Sequence, residues 1–237
     1  MPMKKIYVKI KYFLDFIIAL ILLVLFSPLF IGISIAIKAE DGGKIFFSQL
    51  RTGKYGKKFK CYKFRSMVGT DLAFDKKSPV VQDGDMRLTK TGRILRKFKL
   101  DELPQLLNVI KGDMCFIAPR PLLPVYDTDY EDWELVKFEM RPGLTGLGQV
   151  NGNGHLPLKD RKFYDVYYVV HVSPLLDAVI FFKTIGVILL GEERFTHYVS
   201  LKQYIMLKRE ILKNYIPNQK ICRHLNRAPS RLKKISP

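Results

Sequence analysis

The chain has 237 residues, 48% of them hydrophobic, which is enough for one domain of ordinary size with appendages. It carries 40 Lys and Arg against 22 Asp and Glu, and a formal net charge of +18 predicts an anionic partner. The spacing of Cys61, Cys115 and Cys222 suggests neither a disulfide framework nor a zinc site, and it favours a reducing, cytoplasmic setting for the soluble part.

The first predicted element is an apolar segment, residues 16–37, which has no charged residue. At about 1.5 Å per residue it is long enough to cross a bilayer. Four basic residues precede it within residues 4–11 and seven follow within residues 38–60. Positive charge favours the cytoplasmic side, so a spanning helix would place one of these two sets on the wrong side.

A Ser-Pro pair, Ser27-Pro28, lies in the middle of this segment. Proline removes a backbone hydrogen bond and bends a helix, and a serine hydroxyl can bond the carbonyl that is freed. Two topologies remain open. A re-entrant helical hairpin would keep both basic flanks in the cytoplasm, and a kinked helix would span the bilayer; the residues slightly favour the hairpin.

The middle of the chain predicts a small β-hairpin followed by helices. "KIFFSQLRTGKYGKKFKCYKF" reads as two strands around a turn at 53–56, and 69–85 as a polar loop. "RLTKTGRILRKFKLDELPQLLNVIKGD" indicates two helical pieces joined near Lys99, and a further helix is predicted over 126–140. "RPGLTGLGQVNGNG" is a Gly-rich loop that matches no nucleotide-binding fingerprint.

Two more helices are predicted over 160–171 and 173–190, with Ser173 as the N-cap of the second. The second is almost apolar enough for a membrane span, but Asp177 and Lys183 interrupt it. An interfacial helix and a packed core helix both fit this pattern. Residues 192–237 are basic, with helical spacing around Tyr204, Leu207 and Ile211, and are expected at the periphery, facing lipid.

The residues most suited to chemistry are the adjacent carboxylates of Asp101 and Glu102, at a predicted helix start with Pro104 in the first turn. The helix dipole would favour an ionised Asp101, which suits a nucleophile toward phosphorus or a ligand to Mg²⁺. Consecutive residues can share a site only at an irregular helix end. A simple helix cap is the alternative.

Arginines surround this pair along the sequence. Arg93 and Arg96 lie one helical turn apart upstream, and Arg120 follows between two prolines that stiffen its backbone. Guanidinium groups bind phosphate oxygens in a bidentate fork. The pattern therefore predicts a diphosphate substrate.

Five motifs in order, "KFRSM", "TKTGRILRK", "LDELPQLLNVIKGDM", "PRPLL" and "RPGLTGLGQVNG", resemble the bacterial sugar transferase family of small monotopic polyprenyl-phosphate phosphoglycosyl transferases. The resemblance runs from about Lys4 to Gly191. It implies a membrane-associated α+β fold, in which an N-terminal re-entrant (kinked) membrane helix, a small β-hairpin and interfacial helices surround a compact catalytic domain. The implied units are a membrane-embedded helix at 1–40, a catalytic domain at 41–191 and an extension of unknown role at 192–237.

The resemblance also implies an activity: transfer of a sugar-1-phosphate from a UDP-sugar to undecaprenyl phosphate with release of UMP. Asp101 would attack the β-phosphorus and hold Mg²⁺, Glu102 would assist with protons and phosphate, and Asp177 would be supportive. Ser27-Pro28 matches the membrane break of the re-entrant helix, which makes that topology the expected one. The implied phosphate-binding residues are Lys63, Arg65, Arg93, Arg96 and Arg120.

The expected setting is the cytoplasmic face of the bacterial inner membrane, with anionic lipids and downstream glycosyltransferases as partners and no nucleic acid. The chain departs from the family motifs at Lys99 (usually Ser), Ala118 (usually Gly), Leu147 (usually aromatic) and Asn153-Gly154 (usually Arg-Asn). These departures leave the donor sugar undetermined.

Two other functions remain open from the residues. A membrane-associated glycosyltransferase that releases UDP would use a D-x-D metal motif, for which the candidate is "DGD" at 83–85. A non-enzymatic, membrane-anchored basic module would bind polyanions with a steep salt dependence and would use Asp101 and Glu102 only as a cap.

Overall fold

The computed structural model of the protein describes residues 2–69 and 85–227. These ranges contain a mixture of helices and short strands, which confirms the predicted α+β class. The helices are α1 Pro2–Leu25, α2 Ser27–Asp41, α3 Lys90–Lys97, α4 Leu106–Ile110, α5 Leu158–His171, α6 Pro174–Leu190, α7 Leu201–Asn214 and α8 Gln219–His224. The strands are β1 Phe46–Thr52, β2 Lys58–Phe64, β3 Cys115–Ile117 and β4 Gly143–Thr145.

The apolar segment is broken where the Ser-Pro pair predicts. α1 and α2 meet at an angle of 60°. Pro28 has no amide to donate to the carbonyl of Val24, and the Ser27 hydroxyl donates to that carbonyl instead, at 2.7 Å. Within 2–69 and 85–227, no helix alone has the length and apolar character to cross a membrane, whereas the bent pair has both.

The bent pair also packs against the rest of the protein. Ala19 of α1 is fully buried in a cluster with Leu106, Val109 and Met114. Ile33 and Ile37 of α2 are buried in a second cluster, whose other members are Phe64 and Leu95. The two helices of the apolar segment are therefore packed into the fold and are held in place against the hairpin, α3 and α4.

The predicted hairpin is confirmed. β1 and β2 pair antiparallel from Phe46 opposite Phe64 to Thr52 opposite Lys58, and the turn contains Tyr55 at φ 57°. The face of the hairpin that carries Phe59 is packed against α1 and α4. The three cysteines of the chain are buried and unpaired.

The Gly-rich stretch contains a strand that was not predicted. β4 pairs in parallel with β3, with Cys115 opposite Gly143. A Cβ at Gly143 would lie 2.2 Å from the backbone nitrogen of Ala118, and one at Gly146 2.1 Å from the Ala118 oxygen. A strand of three residues has too little alternation to give a sequence signal, and glycine itself disfavours strand prediction.

The helix predicted over 126–140 is wrong. The structure forms two separate 3₁₀ segments there, Pro124–Asp129 and Asp132–Glu139. Every residue from Trp133 to Phe138 is buried, so this stretch lacks the solvent-facing side on which an amphipathic surface helix depends.

The Ser173 cap is confirmed, because its hydroxyl accepts a hydrogen bond from the Leu176 amide at 3.3 Å. α6 is packed on one side through Ile180 and Val187. Its other side is an exposed apolar stripe, in which Leu175 and Leu189 are 76% and 75% exposed. The helix therefore combines features of both expectations, a core face and an unburied apolar face.

The described part of the segment after residue 191 packs on α5 and on the 3₁₀ segment Asp132–Glu139. Leu207 and Ile211 of α7 are buried against Trp133 and Phe163. In α8, Ile221 is fully buried in a cluster with Tyr130, Leu135 and Phe138. Each such side chain contributes about 1.5–3 kcal/mol when it leaves water, so the described part of this segment is held firmly.

Candidate active site

The Asp-Glu pair is positioned by a turn in the chain. α3 ends at Lys97, Lys99 adopts a left-handed conformation at φ 58°, and a 3₁₀ helix then covers Leu100–Gln105. This confirms two helical pieces joined at Lys99. The irregular start brings Asp101 and Glu102 to one place, as the sequence predicts, although the regular helix α4 begins only at Leu106.

α3 is fixed to the end of β2 by a close backbone contact. Thr89 caps the helix, because its hydroxyl accepts a hydrogen bond from the Gly92 amide at 2.8 Å. A Cβ at Gly92 would lie 2.0 Å from the carbonyl oxygen of Ser66. Only glycine allows this approach, which connects the "KFRSM" and "TKTGRILRK" motifs in space.

Lys63, on β2, joins the two carboxylates. Its ammonium group lies 2.6 Å from Glu102 Oε1 and 3.6 Å from Asp101 Oδ2. From the other side, the Arg120 guanidinium donates to Glu102 Oε1 at 2.9 Å. The structure therefore brings together four of the sequence-predicted site residues, Lys63, Asp101, Glu102 and Arg120, which we call the dyad cluster.

The pKa values of the two carboxylates are displaced in opposite directions. Burial raises the pKa of Asp101, and the charge of Lys63 offsets this only in part. Burial acts on Glu102 as well, but there Arg120 and Lys63 outweigh it and hold the pKa well below its usual range. The charge of Glu102 in turn raises the pKa of Arg120.

This result corrects one expectation. The helix-start argument predicts an Asp101 that ionises easily, whereas burial makes its ionised form costly. Only 9% of the Asp101 side chain is exposed. A carboxylate that keeps its charge in a poorly hydrated site is more reactive toward an electrophile than one in water.

The other predicted arginines are placed differently from one another. Arg96 Nη1 lies 3.7 Å from Met67 Sδ, and the charge of Arg96 offsets part of the rise in the pKa of Asp101. Arg96 therefore lies near the dyad cluster. Arg93 is exposed on α3. Arg65 donates from Nε to the Lys44 carbonyl at 2.6 Å and pairs with Asp41 at the end of α2. The phosphate-binding roles of these arginines stay predictions.

Arg51 lies near the dyad cluster, although the sequence did not predict it as a site residue. It is partly buried, donates to the Pro121 carbonyl at 3.2 Å, and its pKa is lowered to about 10 by burial and by the charge of Arg120. In the hairpin register Arg51 lies opposite Phe59, and Lys63 is four residues beyond Phe59 on the same strand. The alternation of the predicted strands would have placed Arg51 and Lys63 on one face.

Asp177 lies in a separate buried cluster. It accepts hydrogen bonds from Tyr7 at 2.6 Å, Lys11 at 2.7 Å and Tyr168 at 2.6 Å, and Lys11 is also 4.0 Å from Asp15. We call these five residues the Asp177 cluster. It ties α1 to α5 and α6, and the supportive role of Asp177 in the reaction stays a prediction.

A Mg²⁺ ion fits the residues present only if the substrate shares in binding it. No group of three His, Cys, Asp or Glu side chains that could hold a metal occurs in the described ranges. Mg²⁺ commonly takes one or two protein carboxylates and completes its shell with substrate phosphates and water. Asp101 has oxygen atoms that Lys63, at 3.6 Å, does not fill, and it suits such shared binding.

The alternative metal motif lies mostly outside the described residues. Asp83 and nearly all of the polar loop at 69–85 belong to the range that the structure leaves undescribed. Asp85 is described, and it accepts a hydrogen bond from Arg87 Nε at 2.9 Å.

The fold and the dyad cluster define the class of protein, an enzyme whose cation-lined carboxylate pair suits a phosphate-bearing substrate. A family model described as bacterial sugar transferase matches residues 6–191, which is most of the chain. The chain belongs to the bacterial sugar transferase family, and the resemblance read from the five motifs is confirmed, including its end at residue 191.

Curated relatives agree with this assignment. The exopolysaccharide production protein ExoY of Sinorhizobium fredii is 39% identical over 194 residues, which cover 75% of this chain and 84% of ExoY. The uncharacterized sugar transferase EpsL of Bacillus subtilis is 38% identical over 196 residues, covering 82% of this chain and 95% of EpsL.

A relative with a named activity matches over part of its length. The UDP-N-acetylgalactosamine-undecaprenyl-phosphate N-acetylgalactosaminephosphotransferase of Aeromonas hydrophila is 38% identical over 192 residues, covering 78% of this chain. The match spans 45% of that longer protein.

Proposed function

We propose that this phosphotransferase moves a sugar-1-phosphate from a UDP-sugar to undecaprenyl phosphate and releases UMP, which initiates assembly of a membrane-linked glycan. The observation that carries the proposal is the dyad cluster, in which a buried Asp101 with a raised pKa lies beside a Glu102 saturated by two cations. The substrate classes come from the printed names of relatives such as the Aeromonas enzyme.

The first step is a displacement at phosphorus. A carboxylate oxygen of Asp101 forms a bond to the β-phosphorus as the bond from that phosphorus to the bridging oxygen breaks. UMP leaves with the bridging oxygen, and the sugar-1-phosphate remains on Asp101 as an acyl phosphate. Because Asp101 is little hydrated, it attacks without first losing a full water shell.

The second step returns the enzyme to its starting state. A phosphate oxygen of undecaprenyl phosphate attacks the same phosphorus, the acyl phosphate bond breaks, and the Asp101 carboxylate is released. The product is an undecaprenyl diphosphate sugar. Since the two substrates react in turn at one side chain, we expect ping-pong kinetics.

The neighbouring residues provide charge and position. Glu102 is ionised in the free enzyme, because Arg120 and Lys63 lower its pKa, so its first role is to hold these cations beside Asp101. Arg120, Lys63 and Arg96 would neutralise the phosphate oxygens of the donor. A Mg²⁺ bound by Asp101 and the diphosphate would offset the charge that develops on the leaving UMP.

The 60° bend between α1 and α2 supports a proposed re-entrant arrangement in the membrane. A re-entrant hairpin of α1 and α2 would leave both basic flanks on the cytoplasmic face of the bacterial inner membrane, at the level where lipid phosphate meets the dyad cluster. Each Lys or Arg near anionic lipid would contribute about 1 kcal/mol to the association. Glycosyltransferases that extend the lipid-linked sugar would act next on the product.

Topology is tested by labelling cysteines from one side of the membrane. Lys5→Cys and Lys57→Cys, on the two flanks, should react with an impermeant maleimide from the same side of inverted vesicles. Cys61, Cys115 and Cys222 are buried and give the background. Labelling from opposite sides would establish a spanning helix instead.

The activity is tested with the purified protein, undecaprenyl phosphate, Mg²⁺ and a panel of UDP-sugars. We expect UMP release and, without the lipid, a protein adduct whose mass equals the sugar phosphate on a peptide containing Asp101. UDP release would identify the alternative glycosyltransferase. Absence of both products, with polyanion binding that falls steeply with salt, would identify the non-enzymatic module.

A further inference from the structure

Another polar cluster lies near the dyad cluster. Its central residue is Glu192, the first residue after the part of the chain that the family model matches. Glu192 Oε1 accepts from Lys99 at 2.6 Å, and the Asn153 amide nitrogen lies 3.1 Å from each Glu192 oxygen. Lys99 precedes Asp101 by two residues. The cluster is therefore next to the nucleophile in the chain and is joined to it by a rigid turn.

Glu192 is held in place from several directions. Gly191 ends α6 at φ 89°, and Phe195 then packs so closely on Gly186 that a Cβ there would lie 3.1 Å from the ring. The His197 amide donates to the Asn151 carbonyl at 3.0 Å. These contacts bind the segment after α6 to the loop that carries Asn153.

The backbone of the loop that carries Asn153 packs closely on the segment after α6. Gly152 has φ 121°, and a Cβ at this position would lie 2.9 Å from the Cα of Thr196. The Tyr164 hydroxyl adds a hydrogen bond to the His197 carbonyl at 2.9 Å. The Glu192–Asn153 pair is thus a preformed feature of the protein and requires no further folding to bind a ligand.

The charge of this cluster acts on the catalytic groups. The charge of Glu192 contributes to the raised pKa of Arg120, and the charge of Lys99 offsets part of the rise in the pKa of Asp101. Because Lys99 is two residues from Asp101 and its ammonium lies 2.6 Å from Glu192, a ligand bound to Asp101 through its phosphate would have another of its parts close to Glu192. That part is not the diphosphate, because a carboxylate repels phosphate oxygens.

We infer that Glu192, with Lys99 and Asn153, binds hydroxyl groups on a sugar ring of the nucleotide-sugar donor and so contributes to donor recognition. The carboxylate retains accepting positions and is 18% exposed, and the Lys99 side chain is 47% exposed. Adjacent acceptor and donor groups match a pair of neighbouring hydroxyls, each of which both donates and accepts. This inference rests on the proposed function.

Two rings of the donor carry such hydroxyls, the transferred sugar and the ribose. The test compares kcat/KM for UDP-glucose, UDP-galactose and their N-acetylated counterparts, and for the best donor against its 2′-deoxyuridine analogue. The variants are Glu192→Gln and Lys99→Gln, with Glu193→Gln as the matched control, since Glu193 is an exposed acid one residue away. All assays use the full chain.

We expect Glu192→Gln and Lys99→Gln to change at least one ratio of kcat/KM between donors by about tenfold, the effect of losing a hydrogen bond to a charged group. A changed ratio between transferred sugars places the transferred sugar at the cluster. A changed ratio between uridine and deoxyuridine donors places the ribose there. Glu193→Gln should leave every ratio unchanged.

Ratios between donors do not depend on how much protein is folded, so a variant that folds poorly still gives an answer. A uniform loss over all donors, or no change, would overturn the inference and leave Glu192 as a contact that only holds Lys99. If the unmodified protein released no UMP from any donor, the proposed function itself would fail, which is a separate result.

Discussion

The protein contains two buried clusters with the same basic composition, one lysine between two carboxylates. In the dyad cluster Lys63 lies between Asp101 and Glu102, and in the Asp177 cluster Lys11 lies between Asp15 and Asp177. Burying charges is costly unless they are paired and hydrogen-bonded, so both clusters require explanation.

The two clusters differ in how many hydrogen bonds their aspartate carboxylates accept. Asp177 accepts from Tyr7, Tyr168 and Lys11, and Asp15 accepts from the Phe116 amide at 3.2 Å. In the part of the chain that the structure describes, the side chain of Asp101 has one close cation, Lys63 at 3.6 Å, and no side-chain hydrogen bond. The comparison teaches that the incompletely partnered carboxylate is the one available for chemistry.

The largest effect is expected from Asp101→Asn. The amide cannot form the acyl phosphate, so we expect UMP release to fall by a factor on the order of 10⁴ and the trapped adduct to disappear. Asp113→Asn, twelve residues on, should retain activity. A variant at Asp101 that still turned over rapidly would break the comparison between the two clusters.

Asp177→Asn should act on stability. Removing the charge leaves the buried Lys11 with only the more distant Asp15, at 4.0 Å, as a charged partner, which we expect to cost about 3–5 kcal/mol of unfolding free energy. Denaturant unfolding in detergent measures this, and kcat per folded molecule should change only a few-fold. If kcat fell as far as in Asp101→Asn with stability unchanged, Asp177 would belong to the catalytic machinery.

Arg120→Lys keeps the charge and removes the planar fork that bonds Glu102 and is proposed to bind phosphate. We expect kcat/KM to fall by about 100-fold, as for the loss of one preorganised donor. Arg194→Lys, at an exposed position, is the control. An Arg120→Lys enzyme of normal activity would show that only the charge matters there.

The smallest change is a shift in pH dependence. In the proposed mechanism Asp101 must be ionised to attack, so we expect activity to fall as the pH drops through its raised pKa. Lys63 lowers that pKa, and Lys63→Met should therefore move the acid limb of kcat/KM upward by about one pH unit, whereas Lys63→Arg should not. A downward shift in Lys63→Met would contradict the assignment.

The elements that the sequence predicted correctly have strong local signals. The Ser27-Pro28 pair predicted the bend between α1 and α2, and Ser173 predicted the start of α6. The strand pattern around a turn predicted the hairpin. The meeting of Asp101 and Glu102 was predicted because an irregular helix start can bring consecutive residues together. The placement of Arg120 beside Glu102 depends on contacts distant in the chain, for which the sequence alone offered only the stiffening prolines.

The features that were missed depend on tertiary contacts. The strand β4 is too short to show alternation, and the buried stretch from Trp133 to Phe138 has no amphipathic face. The raised pKa of Asp101 comes from burial, which the local helix-dipole argument does not include. The Glu192–Asn153 contact joins residues 39 positions apart and has no signal in the sequence.

The close backbone contacts of Gly143 and Gly146 with Ala118 affect how rigidly Arg120 is held. Two hydrogen bonds, from the Ala118 amide to Thr145 and from the Gly143 amide to Pro119, each 2.9 Å, join the β4 strand to the chain that leads directly to Arg120. The backbone that leads to Arg120 is therefore rigid, so the proposed binding of donor phosphate by its guanidinium would cost little conformational freedom. A single methyl group added at Gly143 would clash with the Ala118 backbone nitrogen, 2.2 Å away, and would weaken the enzyme by displacing the backbone that leads to Arg120.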